Sequence, residues 1–398
     1  MAMQKNIIEE VFPETIKILS ELIKFQTVSG SSNIDLIDYC EKKLGLLGAS
    51  SFKTFDKAKL RANLFSTIAG KKNSNVKGGI ILSGHTDVVP ASNKGWTSDP
   101  FVATKKNDKI YGRGSCDMKG FIACTLALAP YFAKQDLKKP IHLSYTYDEE
   151  TACQGAPVML KELKKRNINC SVCIVGEPTN MKAIQAHKGC YEYSTHFTGL
   201  AGHGSAPEKG VNAVEYATQF INKLMELRQE LKKREPKNSI FSPPYTTLQI
   251  GRIKGGLARN VIADQCVVDW ELRPVVFEDG VFVNQTMDNY AKNILLPEMR
   301  KVYPKAKIEK EIIGEIVGFN KEEKSEAVNL ICNLTGDNSR DVVSFGTEAG
   351  LFQELGISTV VCGPGSIEQA HKIDEYISFH ELKLCLKMLV DLKEQISN

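Results

Sequence analysis

Apolar and polar positions recur with two different periods along this chain, and the change of period divides it. Residues 14–24 and 33–47 carry apolar residues at helical spacing. Residues 63–68 and 79–82 read as buried strands, 118–132 is small and apolar with a helical period, and 141–147 alternates. A helical pattern over 155–165 and a strand over 170–175 follow. Such strand–helix alternation predicts a doubly wound sheet. The rhythm then changes. A strand over 190–198, a loop over 202–207 and a long helix over 212–233 precede strands at 245–253 and 260–272 around the Gly255-Gly256 turn. A helix over 284–302 and a strand over 306–313 complete a β-α-β-β-α-β order, the ferredoxin-like split unit. Helices at 324–334, 348–355 and 380–396 then alternate with strands at 342–345 and 359–362. The expected fold is therefore α/β, a mixed sheet sandwiched by helices, with an inserted α+β ferredoxin-like domain. The first domain is expected over 1–188 and 314–398, the insert over 189–313.

Composition narrows the partners. The chain has 398 residues, 42% of them hydrophobic, enough for two cores. Its net charge of +4 is spread in mixed sign, so neither nucleic acid nor a membrane surface is implied as a partner. No apolar run reaches the length of a membrane span, and the N-terminus has no signal-peptide core, so a cytoplasmic location is expected. Eleven cysteines, an odd number scattered through apolar patterns, suit a reduced core. Cys170 and Cys173 form a C-x-x-C, but it enters a strand rather than opening a helix, so packing is the better reading.

The chemistry gathers where buried strands run out. His85 and Asp87 follow the run at 79–82, Asp117 opens the helix at 118, Asp148-Glu149-Glu150 ends the strand at 141–147, Glu177 ends the next, and His371 arrives much later. Strand ends are where an open α/β sheet places its site. Two imidazoles, from His85 and His371, with carboxylates from Glu150 and Glu177 and a potential bridge from Asp117, are the donor inventory of a two-zinc hydrolase. A carboxylate free of metal is then needed to take a proton from water, and Glu149 beside Glu150 is placed for it. Asp87 lies two residues beyond His85, on the same face, and can orient its imidazole. His142, His187, His196 and His380 read as structural, Arg113 as a brace for the Asp117 loop and Trp96 as a loop anchor.

The segments Gly84-His85-Thr86-Asp87, Cys116-Asp117-Met118-Lys119-Gly120, Asp148-Glu149-Glu150 and Gly176-Glu177-Pro178-Thr179 resemble those of the co-catalytic zinc superfamily of deacylases, aminoacylases and glutamate-type carboxypeptidases. They occur in the family's order over nearly the whole chain. The runs Gly346-Thr347-Glu348-Ala349-Gly350 and Gly363-Pro364-Gly365-Ser366, with Gln369-Ala370-His371, are similar to the acetylornithine deacetylase branch. The resemblance implies a zinc-exopeptidase-like fold with two divalent ions, zinc or else cobalt or manganese. His85 and Glu177 would hold one, Glu150 and His371 the other, with Asp117 bridging and a cis Asp117–Met118 bond. It implies that Glu149 is general base and then acid, and that the insert is a lid and dimerisation domain. The insert's His203 would reach the partner subunit's site in a homodimer to stabilise the oxyanion. Candidates for reading the substrate are Arg259, Asn260, Glu348, Gly365 and Ser366. Glu348 would read a side-chain amine or cap the following helix. The implied reaction deacetylates a small N-acyl amino acid, acetylornithine in arginine biosynthesis; desuccinylation of succinyl-diaminopimelate, or a broader amidohydrolase or carboxypeptidase activity, is the alternative.

Overall fold

The computed structural model describes residues 2–69 and 78–397, which divide into two compact units. The first comprises Met1–Ala186, Phe319–Asp341 and Thr347–Asn398; the second comprises His187–Gly318 and Val342–Gly346.

The first unit begins with helices α1 (Ala2–Lys24) and α2 (Ile34–Gly45), then strands β1 (Ser50–Phe55), β2 (Ala62–Ile68) and β3 (Ile80–His85). Short strands β4 (Thr104–Lys106) and β5 (Lys109–Tyr111) lead to helix α3 (Lys119–Ala133), strand β6 (Ile141–Thr146), helix α4 (Gly155–Lys165), and strands β7 (Val172–Pro178) and β8 (Ala183–His187). Helix α1 starts well ahead of the expected residue 14 and carries Pro13 inside it. The loss of a backbone donor there does not end the helix, and Thr15 Oγ1 bonds the Val11 carbonyl at 3.1 Å in the same turns.

The second unit holds β9 (Cys190–Thr198), α5 (Ala213–Lys233), β10 (Thr247–Gly255), β11 (Gln265–Arg273), α6 (Phe277–Tyr290), α7 (Leu296–Val302) and β12 (Lys307–Ile316). Its sheet runs β10-β11-β9-β12 and is antiparallel throughout, the strand order of a ferredoxin-like unit. Asn212 caps α5 by accepting the Val214 amide at 3.1 Å. Buried residues at 213, 217, 220, 224, 227 and 231 give α5 one apolar face, which packs on the alternating inner faces of β9 and β11. Two expectations shift here. The strand expected from 260 starts at Gln265, because Asn260 and Val261 pair with the His203 loop instead. The helix expected from 284 begins at Phe277 and continues to Val302 through a π turn at Ala291–Leu295.

The chain closes with α8 (Glu326–Thr335), β13 (Arg340–Val343), α9 (Ala349–Glu354), β14 (Ser358–Gly363), β15 (Tyr376–Ser378) and α10 (Phe379–Ser397). The large sheet is ordered β1-β2-β6-β3-β7-β14-β8-β13. Strands β6, β3, β7 and β14 are mutually parallel and buried on both faces; β3, β7 and β14 each carry an unbroken apolar run, while β6 alternates and buries His142 and Ser144 as well. Parallel pairing also puts their C-terminal ends side by side: His85 is opposite Thr146, and Gly363 opposite Pro178. That shared edge is where the chemistry collects. No described helix is long and apolar enough to cross a membrane. All eleven cysteines are buried and none is disulfide-bonded, in keeping with the core reading.

Candidate metal centre

Asp117 faces a different histidine with each oxygen. Its Oδ1 lies 3.1 Å from His85 Nε2, and its Oδ2 lies 3.4 Å from His371 Nε2. His85 Nε2 is also 3.8 Å from Glu177 Oε1, and His371 Nε2 is 3.0 Å from Glu150 Oε2. Two donors bound to one zinc at the usual bond lengths in a tetrahedral shell sit about 3.3 Å apart, so these separations suit pairs of ligands around two centres. The side chains of His85, Glu149 and Glu177 each bring a donor atom within 4.8 Å of the others, as do those of His85, Asp117 and Glu150. Glu177 Oε1 is buried and has no hydrogen-bond partner, an uncompensated acceptor that a cation would satisfy. The donor set fits divalent ions.

The elements that deliver these side chains differ. His85 ends β3 and Glu177 lies in β7 one residue before its end, while Glu149 and Glu150 follow β6 by a few residues. Asp117, by contrast, does not extend a strand of the large sheet. It lies in a turn between β5, part of a small β15-β5-β4 sheet, and α3, and the Asp117–Met118 bond is cis.

The electrostatics describe an excess of buried negative charge. Burial pushes the Glu149 and Glu177 carboxyls well up; His85 pulls against this, and neighbouring carboxylates add to it. Burial also raises Asp117, but the hydrogen bonds with His371 and His85 carry it well below the ordinary range. Burial would lower His85, yet its bonds to Asp117 and Asp87 hold it well above the usual value. The Asp117 and Glu150 side chains raise His371 to about 10.

A layer of polar contacts holds the loops. Asp87 Oδ1 accepts the Glu149 amide at 3.0 Å and Oδ2 accepts the Glu150 amide at 3.2 Å, while Ser29 Oγ donates to Oδ2 at 2.7 Å. His85 Nδ1 sits 3.0 Å from the Asp87 carbonyl and 3.5 Å from Oδ1. Asp148, buried with a φ of 50°, accepts the Gly30 amide at 2.9 Å and is paired with Arg61. Arg113 braces the Asp117 loop as expected, through Glu375 at 2.7 Å, and stacks over Trp96. Ser29, Arg61 and Glu375 are neighbours of the site that sequence reasoning missed. Each is an ordinary polar residue whose partner lies far away in the chain.

Of the substrate-reading candidates, Gly365 and Ser366 lie beside the Asp117 loop, with the Ser366 carbonyl 3.4 Å from Cys116 Sγ. Glu348 needs correcting. It is 1% exposed, with Oε1 accepting from Ser83 Oγ at 2.5 Å and Oε2 from Thr146 Oγ1 at 2.9 Å. It gives α9 no side-chain cap, and with both oxygens engaged beneath β3 and β6 it is not presented to a ligand. In the second unit, His203 pairs with Val261, and the Gly204 amide donates to the Asn260 carbonyl at 2.8 Å. The His203 loop and the exposed Arg259–Asn260 turn are thus one cluster. His142 is structural, between Thr67 Oγ1 and the Gly78 carbonyl.

Residues 81–395 match the pattern of peptidase family M20/M25/M40. The chain is 38% identical over 301 residues to an acetylornithine deacetylase of Pectobacterium atrosepticum, covering 76% of each protein. It is 34% identical over 389 residues to an acetylornithine deacetylase of Aliivibrio fischeri, covering 96% of this chain and 98% of the relative. Among solved structures, an M20 family metallo-carboxypeptidase of Sulfolobus solfataricus superposes with a TM-score of 0.74 at 18% identity, over 96% of this chain and 99% of the other. A dinuclear metal-binding M20 peptidase of Bacillus subtilis gives 0.63 at 15% identity, over 97% and 98%.

Proposed function

We propose that this chain, which belongs to peptidase family M20/M25/M40, removes the acetyl group of N2-acetyl-L-ornithine to give L-ornithine and acetate. The observation that carries the chemistry is Asp117, with one oxygen toward each of two histidines. The substrate assignment is supported by relatives named acetylornithine deacetylase at 33–38% identity. Zinc, cobalt or manganese suits these donors. Two such ions, held by His85 with Glu177 and by Glu150 with His371 across Asp117, would polarise the amide carbonyl and make a water acidic enough to lose its proton near neutral pH.

Glu149 is the base. Its carboxylate takes the proton from the attacking water and returns it to the leaving amine, the double duty that amide hydrolysis demands. Asp87 sets its place through the main chain. Residues 1–188 and 314–398 form the metal-holding domain and 189–313 a lid through which two copies pair. His203 then serves the partner's site. The Ser205 amide donates to its Nδ1 at 3.2 Å, which leaves the ring proton on Nε2 in the neutral tautomer, ready for an oxyanion. Arg259 and Asn260 bind the substrate carboxylate from the same cluster, with Gly365 and Ser366 lining the metal side. The enzyme works in the cytoplasm, in arginine biosynthesis. Release of ornithine and acetate by zinc- or cobalt-reconstituted protein, lost with a chelator, is the test; a reconstituted protein that leaves N2-acetyl-L-ornithine intact counts against the assignment.

A further inference from the structure

Glu375 has no part in the chemistry above, yet its side chain is fully buried and all four of its contacts converge on one loop. Oε2 accepts Arg113 Nη1 at 2.7 Å and the Gly114 amide at 3.0 Å. Oε1 accepts the Cys116 amide at 2.8 Å and the Asp117 amide at 3.1 Å. The Glu375 carbonyl takes a fifth bond, from the Gly112 amide at 2.9 Å. Main-chain N–H groups pointing together into a concavity form an anion-binding nest, and here the anion is a side chain of the same protein.

The other end of the segment carries His371. That residue has a φ of 62°, its Nε2 faces Glu150 and Asp117, and its side chain is half exposed. Its place therefore follows from the course of residues 371–375. Asp374 fixes that course by accepting the Thr97 amide at 2.9 Å, and Glu375 fixes it by docking in the nest. Strand β15 pairs with β5 just beyond, from Tyr376 opposite Tyr111. That ladder already fastens the two segments, so the carboxylate acts on the part of the loop the ladder does not reach, ending at the Asp117 amide itself.

We propose that Glu375 is a positioning residue that sets the distance between Asp117 and His371, two donors brought from opposite ends of the chain to one metal. The proposal rests on the reading of those residues as metal ligands. It predicts sensitivity to charge at constant shape. In Glu375→Gln one end of the amide is an NH2 group, so whichever way it turns, two donors of the nest face another donor. Glu375→Asp keeps the charge but withdraws it by one methylene.

The test is titration of the metal-free full-length protein and both variants with cobalt(II), following the visible absorption of the bound ion alongside thermal unfolding. Wild type is expected to bind two equivalents. Glu375→Gln is expected to keep a cooperative metal-free unfolding transition while losing roughly 10–100-fold in cobalt affinity and shifting the absorption band, with Glu375→Asp between the two. A Glu375→Gln protein with wild-type affinity and spectrum overturns the proposal alone. Loss of the unfolding transition in both variants also overturns it, because Glu375 is then a requirement of the fold. A wild type that binds no cobalt overturns the metal reading and this proposal with it.

Discussion

Asp87 holds Glu149 by its main chain, the Glu149 amide donating to Asp87 Oδ1 at 3.0 Å. The same carboxylate that stands beside His85 therefore also fixes the segment bearing the proposed base and a candidate ligand. Asp87→Ala should lower both metal affinity and kcat by roughly 10–100-fold. Calorimetric metal titration with steady-state kinetics would check this; an Asp87→Ala enzyme equal to wild type in both would remove Asp87 from the account.

Glu149 can be separated from the metal ligands by what its loss leaves behind. Glu149→Ala should keep close to two ions per chain and lose ~100- to 10,000-fold in kcat. Metal analysis of the purified variant beside its kinetics decides the point. Substantial residual turnover, or loss of an ion, discards the assignment as base.

If His203 acts across a dimer, inactive variants should rescue one another. A mixed dimer of Glu149→Ala and His203→Ala subunits contains one site with both residues intact. Random mixing makes half the dimers mixed, so about a quarter of wild-type activity should return. Mixing purified variants after reversible dissociation tests it, and no recovery in confirmed mixed dimers excludes the trans role.

His142 links acid stability to a place far from the chemistry. Burial lowers it from 6.5 to about 4, so the folded protein holds it neutral where the unfolded chain binds a proton. Its contribution is present above pH 6.5 and is lost as pH falls toward 4. At about 1.4 kcal/mol per unit the loss is on the order of 3 kcal/mol. Urea unfolding at pH 7 and pH 4.5 should show a smaller decline for His142→Gln than for wild type; parallel declines would refute it.

The central strands of the large sheet are legible in the sequence because β3, β7 and β14 are buried on both faces and each carries a short unbroken apolar run, while β6 alternates. His85 and Glu177 are legible for the same reason, each lying at or beside the end of such a run. What escapes is set by long-range contact. Nothing local distinguishes Glu375 from an exposed turn residue, since its partners are some 260 residues away. Glu348 misleads in the opposite sense: a carboxylate beside a helix start suggests ligand or cap, and only the packing of Ser83 and Thr146 around it reveals a buried acceptor. Helix α1 passes through Pro13, where a local rule predicts a start.

The proposed hydrolysis of acetylornithine at a two-ion site makes a quantitative demand on substrate preference. Its most direct test is kcat/KM measured side by side on N2-acetyl-L-ornithine, succinyl-diaminopimelate and a set of dipeptides, using one preparation of metal-reconstituted protein. N2-acetyl-L-ornithine should be preferred by at least about tenfold, a difference of roughly 1.4 kcal/mol in transition-state binding, and chelation should abolish all turnover. A higher kcat/KM on either competing class, or turnover that survives removal of the metal, would contradict it.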